Sequence, residues 1–376
     1  MYLTDSEGLR AFCERSRSAD VLAVDTEFLR EKTFYPRLCL IQLATDDEVA
    51  VVDPFTVDDF SPLEDLFVDE RVTKVFHACP QDLEVIRHEL GCVPRPVFDT
   101  QVACEFLGHR PQLGYGALVQ AYTGVRLDKA ETLSDWSLRP LDERQLGYAE
   151  ADVSYLPGIW RQMVAELERL GRLSWVEPEM EAVADPARYE HDPRAAYLRL
   201  KRSGGLTRRQ LAVARELAAW REGRAASADI PRKWVMRDET VVEISKRCPR
   251  TAAELGRIRG AQQLKGEDRD AVLAAVATGL AVPAELQPQQ RRRPRASAES
   301  EGVVDLMYAL VRVVAEENGL ATQLIATRDD LADFASGAPG CPLRESWRME
   351  LAGSRLERLL AGEVGLTVKD GRVEQL

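Results

Sequence analysis

The sequence lacks the features of a membrane-bound or secreted protein. No apolar run approaches the roughly 20 residues that a membrane-spanning helix requires. The N-terminus has neither the basic start nor the apolar block of a signal peptide. The seven cysteines are odd in number and scattered, and no two form a Cys-x-x-Cys pair for a metal or redox site. We therefore expect free thiols in the reduced cytoplasm.

A nucleotide-binding signature is also missing. The chain contains no Gly-x-x-x-x-Gly-Lys-Ser/Thr loop, whose backbone amides would hold the phosphates of a nucleotide. We expect neither a motor activity nor a nucleotide cofactor.

Charge is unevenly distributed along the 376 residues. The net charge of −12 opposes binding to nucleic acid, but residues 200–260 carry 15 Lys or Arg against 7 Asp or Glu, a local balance of +8. Such a segment gives salt-sensitive, sequence-independent affinity for phosphates. The alternative is an ordinary solvated helical face.

Hydrophobic periodicity predicts a mixed α/β sheet followed by helices. A capping box at Thr4–Glu7 predicts a helix that ends near Arg17. Short apolar runs predict strands near residues 21–28, 38–44, 48–53, 74–78 and 97–100, with helices near 61–68 and 81–90. The short connections among the strands before residue 53 favour an antiparallel meander. A long helical pattern covers 142–170, and Pro157 is expected to kink or divide it.

Composition predicts how the chain divides into domains. With 45% hydrophobic residues it can bury two or three cores. We predict an α/β domain over residues 1–170 and two small all-α domains over 200–283 and 302–376. Residues 171–199 are predicted to link the first two, and the basic, proline-containing stretch 284–301 is predicted to be a flexible tether.

Two carboxylates interrupt the first long apolar run, Val21–Phe28. Asp25 and Glu27 are two apart in a predicted strand, so both point to the same face of the sheet. Like charges about 4 Å apart repel by roughly 4 kcal/mol at an effective dielectric constant of 20. A divalent cation would offset this repulsion, whereas the simpler alternative is a strand that ends in a solvated turn.

Further candidates follow along the chain. Asp82 lies just after a predicted strand and in the first turn of a helix, where open α/β sheets place their sites. Tyr148 and Asp152 are four apart on a predicted helix and share one face. Asp99 could be a fifth ligand, but a helix or strand cap is the better interpretation.

These residues resemble the motifs of the ribonuclease D family of 3′–5′ exonucleases. The family's Asp-x-Glu motif is similar to Asp25–Glu27, its His-Ala-x-x-x-Asp-Leu motif to His77–Leu83, and its Tyr-x-x-x-Asp motif to Tyr148–Asp152. The stretch 127–140 also resembles the run that precedes the family's third motif. The motifs occur in order within residues 1–170.

The resemblance implies a ribonuclease H-like fold, a hydrolytic exoribonuclease that releases 5′-mononucleotides, and a role in trimming transfer RNA precursors. It further implies two divalent cations, Mg²⁺ or Mn²⁺, and a tyrosine that aligns the attacking water. The implied metal ligands are the four acids Asp25, Glu27, Asp82 and Asp152, and the implied tyrosine is Tyr148. Carboxylate oxygens suit these hard ions.

The helical half resembles a second module. Residues 211–260 are similar to the helicase-and-ribonuclease-D C-terminal (HRDC) domain, which is associated with nucleic-acid binding, and residues 302–376 resemble it more weakly. The predicted RNA-contacting residues are Phe28, which could equally be buried in the core, and the basic residues Arg208, Arg209, Arg232 and Lys233. We expect a monomer. A DNA exonuclease and a non-catalytic RNA-binding adaptor remain the alternatives.

Overall fold

The computed structural model describes residues 1–127, 134–264, 266–289 and 298–376. The chain forms two compact units. The first unit comprises Met1–Glu27, Leu38–Arg188 and Pro294–Leu376, and the second comprises Phe28–Arg37 and Tyr189–Arg293. Residues 128–133 of the stretch that resembles the family, and residues 290–297 of the predicted tether, lie outside the described residues.

A six-stranded mixed sheet forms the core of the α/β part, in the order β1-β4-β3-β2-β5-β6. The strands are β1 (Tyr2–Leu3), β2 (Val21–Leu29), β3 (Arg37–Ala44), β4 (Val49–Val52), β5 (Thr73–Phe76) and β6 (Val97–Asp99). β3 and β4 pair antiparallel, as the short turn between them predicted, whereas β5 runs parallel to both β2 and β6. The parallel pairing of Val21–Ala23 with Thr73–Val75 places Asp25 and Glu27 just beyond the end of β5, from which the chain continues to Asp82.

The strand β1 was not predicted. It has only two residues and pairs in parallel with β4. A segment this short has no alternation to detect, and its strand geometry comes from its long-range partner alone.

Helices cover the sheet and carry the remaining candidate residues. They are α1 (Ser6–Ser16), α2 (Ser61–Phe67), α3 (Pro80–Glu89), α4 (Thr100–Phe106), α5 (Tyr115–Thr123), α6 (Glu143–Ser154), α7 (Leu156–Arg169) and α8 (Leu173–Val183). The long helical pattern is divided at Tyr155, so that Pro157 falls in the first turn of α7, where its missing N–H costs no hydrogen bond.

The predicted cap of α1 was wrong by one residue. Asp5, not Thr4, is the N-cap, because its backbone is extended and its carboxylate accepts the amide of Gly8. Asp and Thr can both cap a helix, and the backbone conformation decides between them.

The second unit is a small helical bundle. Its helices are α9 (Arg208–Ser227), α10 (Arg232–Val235), α11 (Asp238–Arg247), α12 (Ala252–Leu255) and α13 (Gly266–Ala281). α13 crosses α9 closely at Gly279, where an added Cβ would lie 2.4 Å from the Cα of Val213. The core contains fully buried apolar residues such as Leu217, Val241 and Leu255.

The C-terminal residues pack into the core of the first unit. They form α14 (Ala298–Asn318), α15 (Thr322–Ile325), α16 (Arg328–Ala335), α17 (Ser346–Arg348), α18 (Ser354–Leu360) and an unpredicted hairpin of β7 (Leu366–Lys369) and β8 (Arg372–Gln375). The ring of Trp347, 3% exposed, stacks on Trp175 with centroids 5.6 Å apart and meets the edge of Phe106 at 5.1 Å. The guanidinium of Arg172 donates to the carbonyl oxygens of Phe106 and Asn318. One hydrophobic cluster therefore joins both parts of the first unit.

None of the helices in the described part of the chain is both long enough and apolar enough to cross a membrane.

Candidate active site

Asp25 and Glu27 project from the second half of β2. The preceding residues Val21–Val24 are fully buried, which holds the strand in the middle of the sheet. Both carboxylates are partly buried, and their two-residue spacing places them on one face. The strand thus presents two acids at the margin of an apolar core.

Asp82 lies on α3, the helix that follows the neighbouring strand β5. The chain leaves β5 at Phe76 and begins α3 at Pro80, which puts Asp82 in the first helical turn and leaves it 7% exposed. The hydroxyl of Thr26 donates to Asp82 Oδ1 at 2.5 Å. This bond ties the second motif to the strand of the first.

Asp152 completes the cluster from α6. A carboxylate oxygen from each of Asp25, Glu27 and Asp152 lies within 4.8 Å of the other two. Tyr148 lies one helical turn before Asp152, and its hydroxyl donates to that carboxylate. The structure therefore brings together three of the predicted ligands directly, and Asp82 is close enough for its charge to act on Asp25.

The electrostatics of the cluster show that the carboxylates repel one another. Burial raises the pKa of Glu27 to about 8, with the charges of Asp152 and Asp82 adding to the effect. Burial likewise raises the pKa of Asp82 and of Asp152 to about 7, against the lowering effect of the Thr26 and Tyr148 hydroxyls respectively. The pKa of Asp25 is raised well above its ordinary value, by burial and by the charges of the other three acids.

This donor set suits hard divalent cations. Several carboxylates that are costly to ionise side by side are stabilised when a cation neutralises them. Their oxygens are the ligands that Mg²⁺ and Mn²⁺ prefer. The group found among the described residues consists of carboxylates alone, without the cysteine or histidine ligands that softer metals favour.

Two neighbouring residues have structural roles. The carboxylate of Asp99 caps α4 at Gln101 and also accepts the amides of Ala78 and Cys79, so it shapes the turn between β5 and α3. His77 Nδ1 lies 2.9 Å from the hydroxyl of Thr100, a contact that orients the imidazole ring. Asp99 is therefore a cap, as predicted.

Sequence reasoning missed Tyr115. This tyrosine of α5 donates its hydroxyl to the carbonyl oxygen of Ala151, beside Asp152. Burial, with the nearby charges of Asp152 and Asp25, raises its pKa, so it stays neutral and acts as a fixed hydrogen-bond donor. Tyr115 lies outside the motifs, so no sequence signal pointed to it. Thr26, whose hydroxyl also supports the site, lies between the two acids of the first motif and could have been identified from its position.

The predicted RNA-contacting residues lie in the second unit. Phe28 is partly buried, and Arg208, Arg209 and Lys233 are exposed. Arg208 donates to the carbonyl oxygens of Ala284 and Gln287. Arg232 instead donates to both carboxylate oxygens of Glu222, at 2.6 and 2.7 Å, and its guanidinium carbon lies 4.3 Å from the ring centroid of Phe34.

The raised pKa values predict an unusual pH dependence of stability. The carboxyl groups of Glu27, Asp82 and Asp152 have ordinary pKa values near 4 in the unfolded chain. In the folded chain they hold their protons up to about pH 7 to 8. The folded state therefore binds more protons between these limits, and the free energy of unfolding should fall as pH rises through this window. Without metal, the melting temperature should decrease from pH 5 to pH 8.

Metal should reverse this trend, because a cation binds the ionised acids. Melting curves at pH 5, 6, 7 and 8, in EDTA and in Mn²⁺, would measure it, with the metal-induced increase in melting temperature growing with pH. Parallel profiles with and without metal would contradict a metal-binding role for the cluster.

The fold and the acidic cluster together define a class of enzyme. A family model described as 3′–5′ exonuclease matches residues 1–168, and one described as HRDC domain matches residues 210–274. The exonuclease family is metal-dependent, in keeping with the acidic cluster of Asp25, Glu27 and Asp152. The molecule is thus an α/β 3′–5′ exonuclease with helical domains.

Similar proteins narrow this class. The chain is 42% identical to ribonuclease D of Acidiphilium cryptum over 98% of its own length and 95% of the relative's, and 40% identical to that of Sphingobium indicum over 99% and 97%. The crystal structure of Escherichia coli RNase D, described as an exoribonuclease involved in structured RNA processing, is 31% identical. That similarity covers 96% of this chain and 98% of the other, with a TM-score of 0.85. The chain belongs to the ribonuclease D family of hydrolytic 3′–5′ exoribonucleases.

Proposed function

We propose that the chain holds two divalent cations, Mg²⁺ or Mn²⁺, through Asp25, Glu27, Asp82 and Asp152. The observation that carries this proposal is the convergence of carboxylates from a strand and a helix within 4.8 Å, with pKa values raised by burial and mutual repulsion. When bound, two such ions supply activation of the attacking water and stabilisation of the leaving oxygen in an in-line displacement at phosphorus.

The protein's own residues would position the reactants. The Tyr148 hydroxyl, located one turn from Asp152, would accept a hydrogen bond from the attacking water and align it with the phosphorus. A phenol with an ordinary pKa near 10 suits alignment better than proton abstraction at neutral pH. Thr26 and Tyr115 would keep Asp82 and the α6 backbone in place through their hydroxyl groups.

The second unit would bind the body of the RNA. It carries the HRDC-matching helices and the basic balance of residues 200–260. Lys233 and the 55%-exposed ring of Trp234 are adjacent on α10, which combines a phosphate-binding cation with a surface on which a base can stack. Arg208 and Arg209 at the start of α9 add exposed positive charge.

The proposed substrates are transfer RNA precursors or other structured RNAs with a 3′ end to trim. The similarity to the Escherichia coli enzyme described as acting in structured RNA processing supports this class. We further propose a monomer in the cytoplasm, a compartment that agrees with seven cysteines that are all free thiols.

The deciding experiment compares matched RNA and DNA oligonucleotides labelled at the 5′ end, each incubated with Mg²⁺, Mn²⁺ or EDTA. We expect stepwise shortening of the RNA from its 3′ end, release of 5′-mononucleotides and full inhibition by EDTA. Equal or faster cleavage of DNA would favour the DNA exonuclease, since ribose is recognised through its 2′-hydroxyl. Tight RNA binding without cleavage in either metal would favour the adaptor.

The RNA-binding surface gives a separate prediction. Trp234→Ala should weaken binding of a structured RNA with a single-stranded 3′ end, because base stacking contributes about 1–3 kcal/mol. Lys233→Gln should lower the slope of log Kd against log salt by about 0.7 if it neutralises one single-strand phosphate. Binding isotherms at several salt concentrations would measure both effects.

The matched control is Lys369→Gln, the same change at an exposed lysine in β7 of the first unit. Point variants are preferable to truncation, because residues after 302 contribute to the core of the first unit. An unchanged salt slope in Lys233→Gln would mean that this lysine is an ordinary surface charge.

A further inference from the structure

The segment Phe28–Arg37 begins at the residue directly after Glu27, yet it belongs to the second unit. Strand β2 continues to Leu29, and β3 begins at Arg37, so only residues 30–36 lie between them. The hydroxyl of Thr33 donates to the carbonyl oxygen of Tyr35 at 2.6 Å, which closes a turn inside the segment. The connection between the two strands is therefore short and internally braced.

Asp229 holds the backbone of this segment. Its Oδ1 accepts the amide of Phe34 at 3.0 Å and the amide of Tyr35 at 3.2 Å. Asp229 has a left-handed backbone, with φ of 46°, in the turn that follows α9. A side chain 195 residues away in sequence thus satisfies two consecutive backbone donors with one ionisable oxygen.

Phe34 anchors the same segment by its side chain. The ring is 7% exposed and packs against Ala225 of α9 and Val235 of α10. The guanidinium of Arg232 covers the ring at 4.3 Å and is itself held by the buried carboxylate of Glu222. The guanidinium of Arg232 therefore stabilises the position of Phe34. This contact gives the residue a structural role that does not depend on RNA.

We propose that Asp229 and Phe34 are positioning residues for Glu27. Together they form a latch through which the second unit holds the chain that continues from the metal-binding strand. Glu27 and Phe28 share a peptide bond, and a displacement of about 1 Å at a reacting centre can lower a rate by about 10²-fold. The proposal rests on the proposed function, because it takes Glu27 to be a metal ligand.

The latch predicts a change in turnover rather than in RNA affinity. Asp229→Ala removes the acceptor of both amides, whereas Asp229→Asn keeps a side-chain oxygen at the same place and tolerates the left-handed backbone. On a trinucleotide RNA, we expect kcat to fall by about tenfold in Asp229→Ala and to return to within about twofold of wild type in Asp229→Asn. The Mn²⁺ concentration for half-maximal activity should rise in Asp229→Ala alone.

Phe34→Ala is the second, independent variant, and Ser227→Ala, an exposed position two residues before Asp229, is the control. All variants are full-length and assayed below their melting temperatures. Amide hydrogen exchange at Phe34 and Tyr35 should accelerate in Asp229→Ala and remain slow in Asp229→Asn. Unchanged kcat and metal dependence in both folded latch variants would overturn the proposal, as would a higher KM with unchanged kcat.

Glu27→Gln separates the two levels of inference. If this variant loses activity while Asp229→Ala and Phe34→Ala remain normal, only the latch is wrong. If Glu27→Gln itself retains wild-type turnover at saturating Mg²⁺, the metal assignment fails, and the latch has no ligand to position.

Discussion

Asp25→Asn is expected to lower turnover of a short RNA by about 10³-fold or more, because metal ions contribute several kcal/mol of transition-state stabilisation. Asp25 lies within 4.8 Å of Glu27 and Asp152 and interacts with the charges of all three other acids. Replacing its carboxylate by an amide removes one negative ligand from the centre of the cluster. Turnover at saturating Mg²⁺ and Mn²⁺ is the measurement.

The same variant should not be less stable without metal. Because Asp25 is repelled by its neighbours, an uncharged isostere relieves that repulsion, and the melting temperature in EDTA at pH 8 should equal or exceed that of wild type. Asp47→Asn, the same change in an exposed turn, should leave turnover unchanged. Near-wild-type turnover of Asp25→Asn would contradict the metal assignment.

Tyr148→Phe is expected to lower kcat by about 10²-fold while metal affinity is retained, because only the hydroxyl that would align the attacking water is lost. The hydroxyl donates to Asp152 and lowers the pKa of that carboxyl, which burial otherwise raises to about 7. Its loss should raise the pKa of Asp152 further. Metal affinity should therefore be compared over a series of pH values above 7, so that both proteins can be matched with this carboxyl ionised.

Calorimetric titration with Mn²⁺ and single-turnover kinetics would distinguish alignment from a role in shaping the site. Tyr308→Phe removes a hydroxyl from α14 and is the matched control. A loss of metal affinity as large as the loss of rate would show that Tyr148 shapes the metal site rather than aligning the water.

Local patterns were sufficient for much of the α/β part. The apolar run that ends in Asp25 and Glu27 forms β2, and Pro80 and Pro157 lie in the first turns of α3 and α7. Such features depend on alternation, caps and backbone restrictions that act over a few residues. Local patterns also predicted Asp82 in the first turn of a helix and Asp152 one turn from Tyr148, but the grouping of these two acids with Asp25 and Glu27 followed only from the resemblance.

Long-range packing decided the features that sequence reasoning missed. The strand β1 exists because β4 pairs with it, and the aromatic contacts of Trp347 place the C-terminal helices in the core of the first unit. The predicted role of Arg232 in contacting RNA stays a prediction, but its ion pair with Glu222 and its contact with Phe34 show what the side chain does in the fold. No periodicity reports a partner that is tens or hundreds of residues away.

The sequence alone therefore determined which chemical groups are available: carboxylates spaced for one face of a strand, a tyrosine and an acid on one helical turn, and a basic helical segment. Tertiary structure decided their distances, and hence their energies. Repulsion and burial act over a few ångströms, so the raised pKa values of Glu27, Asp82 and Asp152 exist only once strand and helices meet. The hydrogen bonds from the amides of Phe34 and Tyr35 to Asp229 likewise exist only because residues nearly 200 apart in sequence pack together.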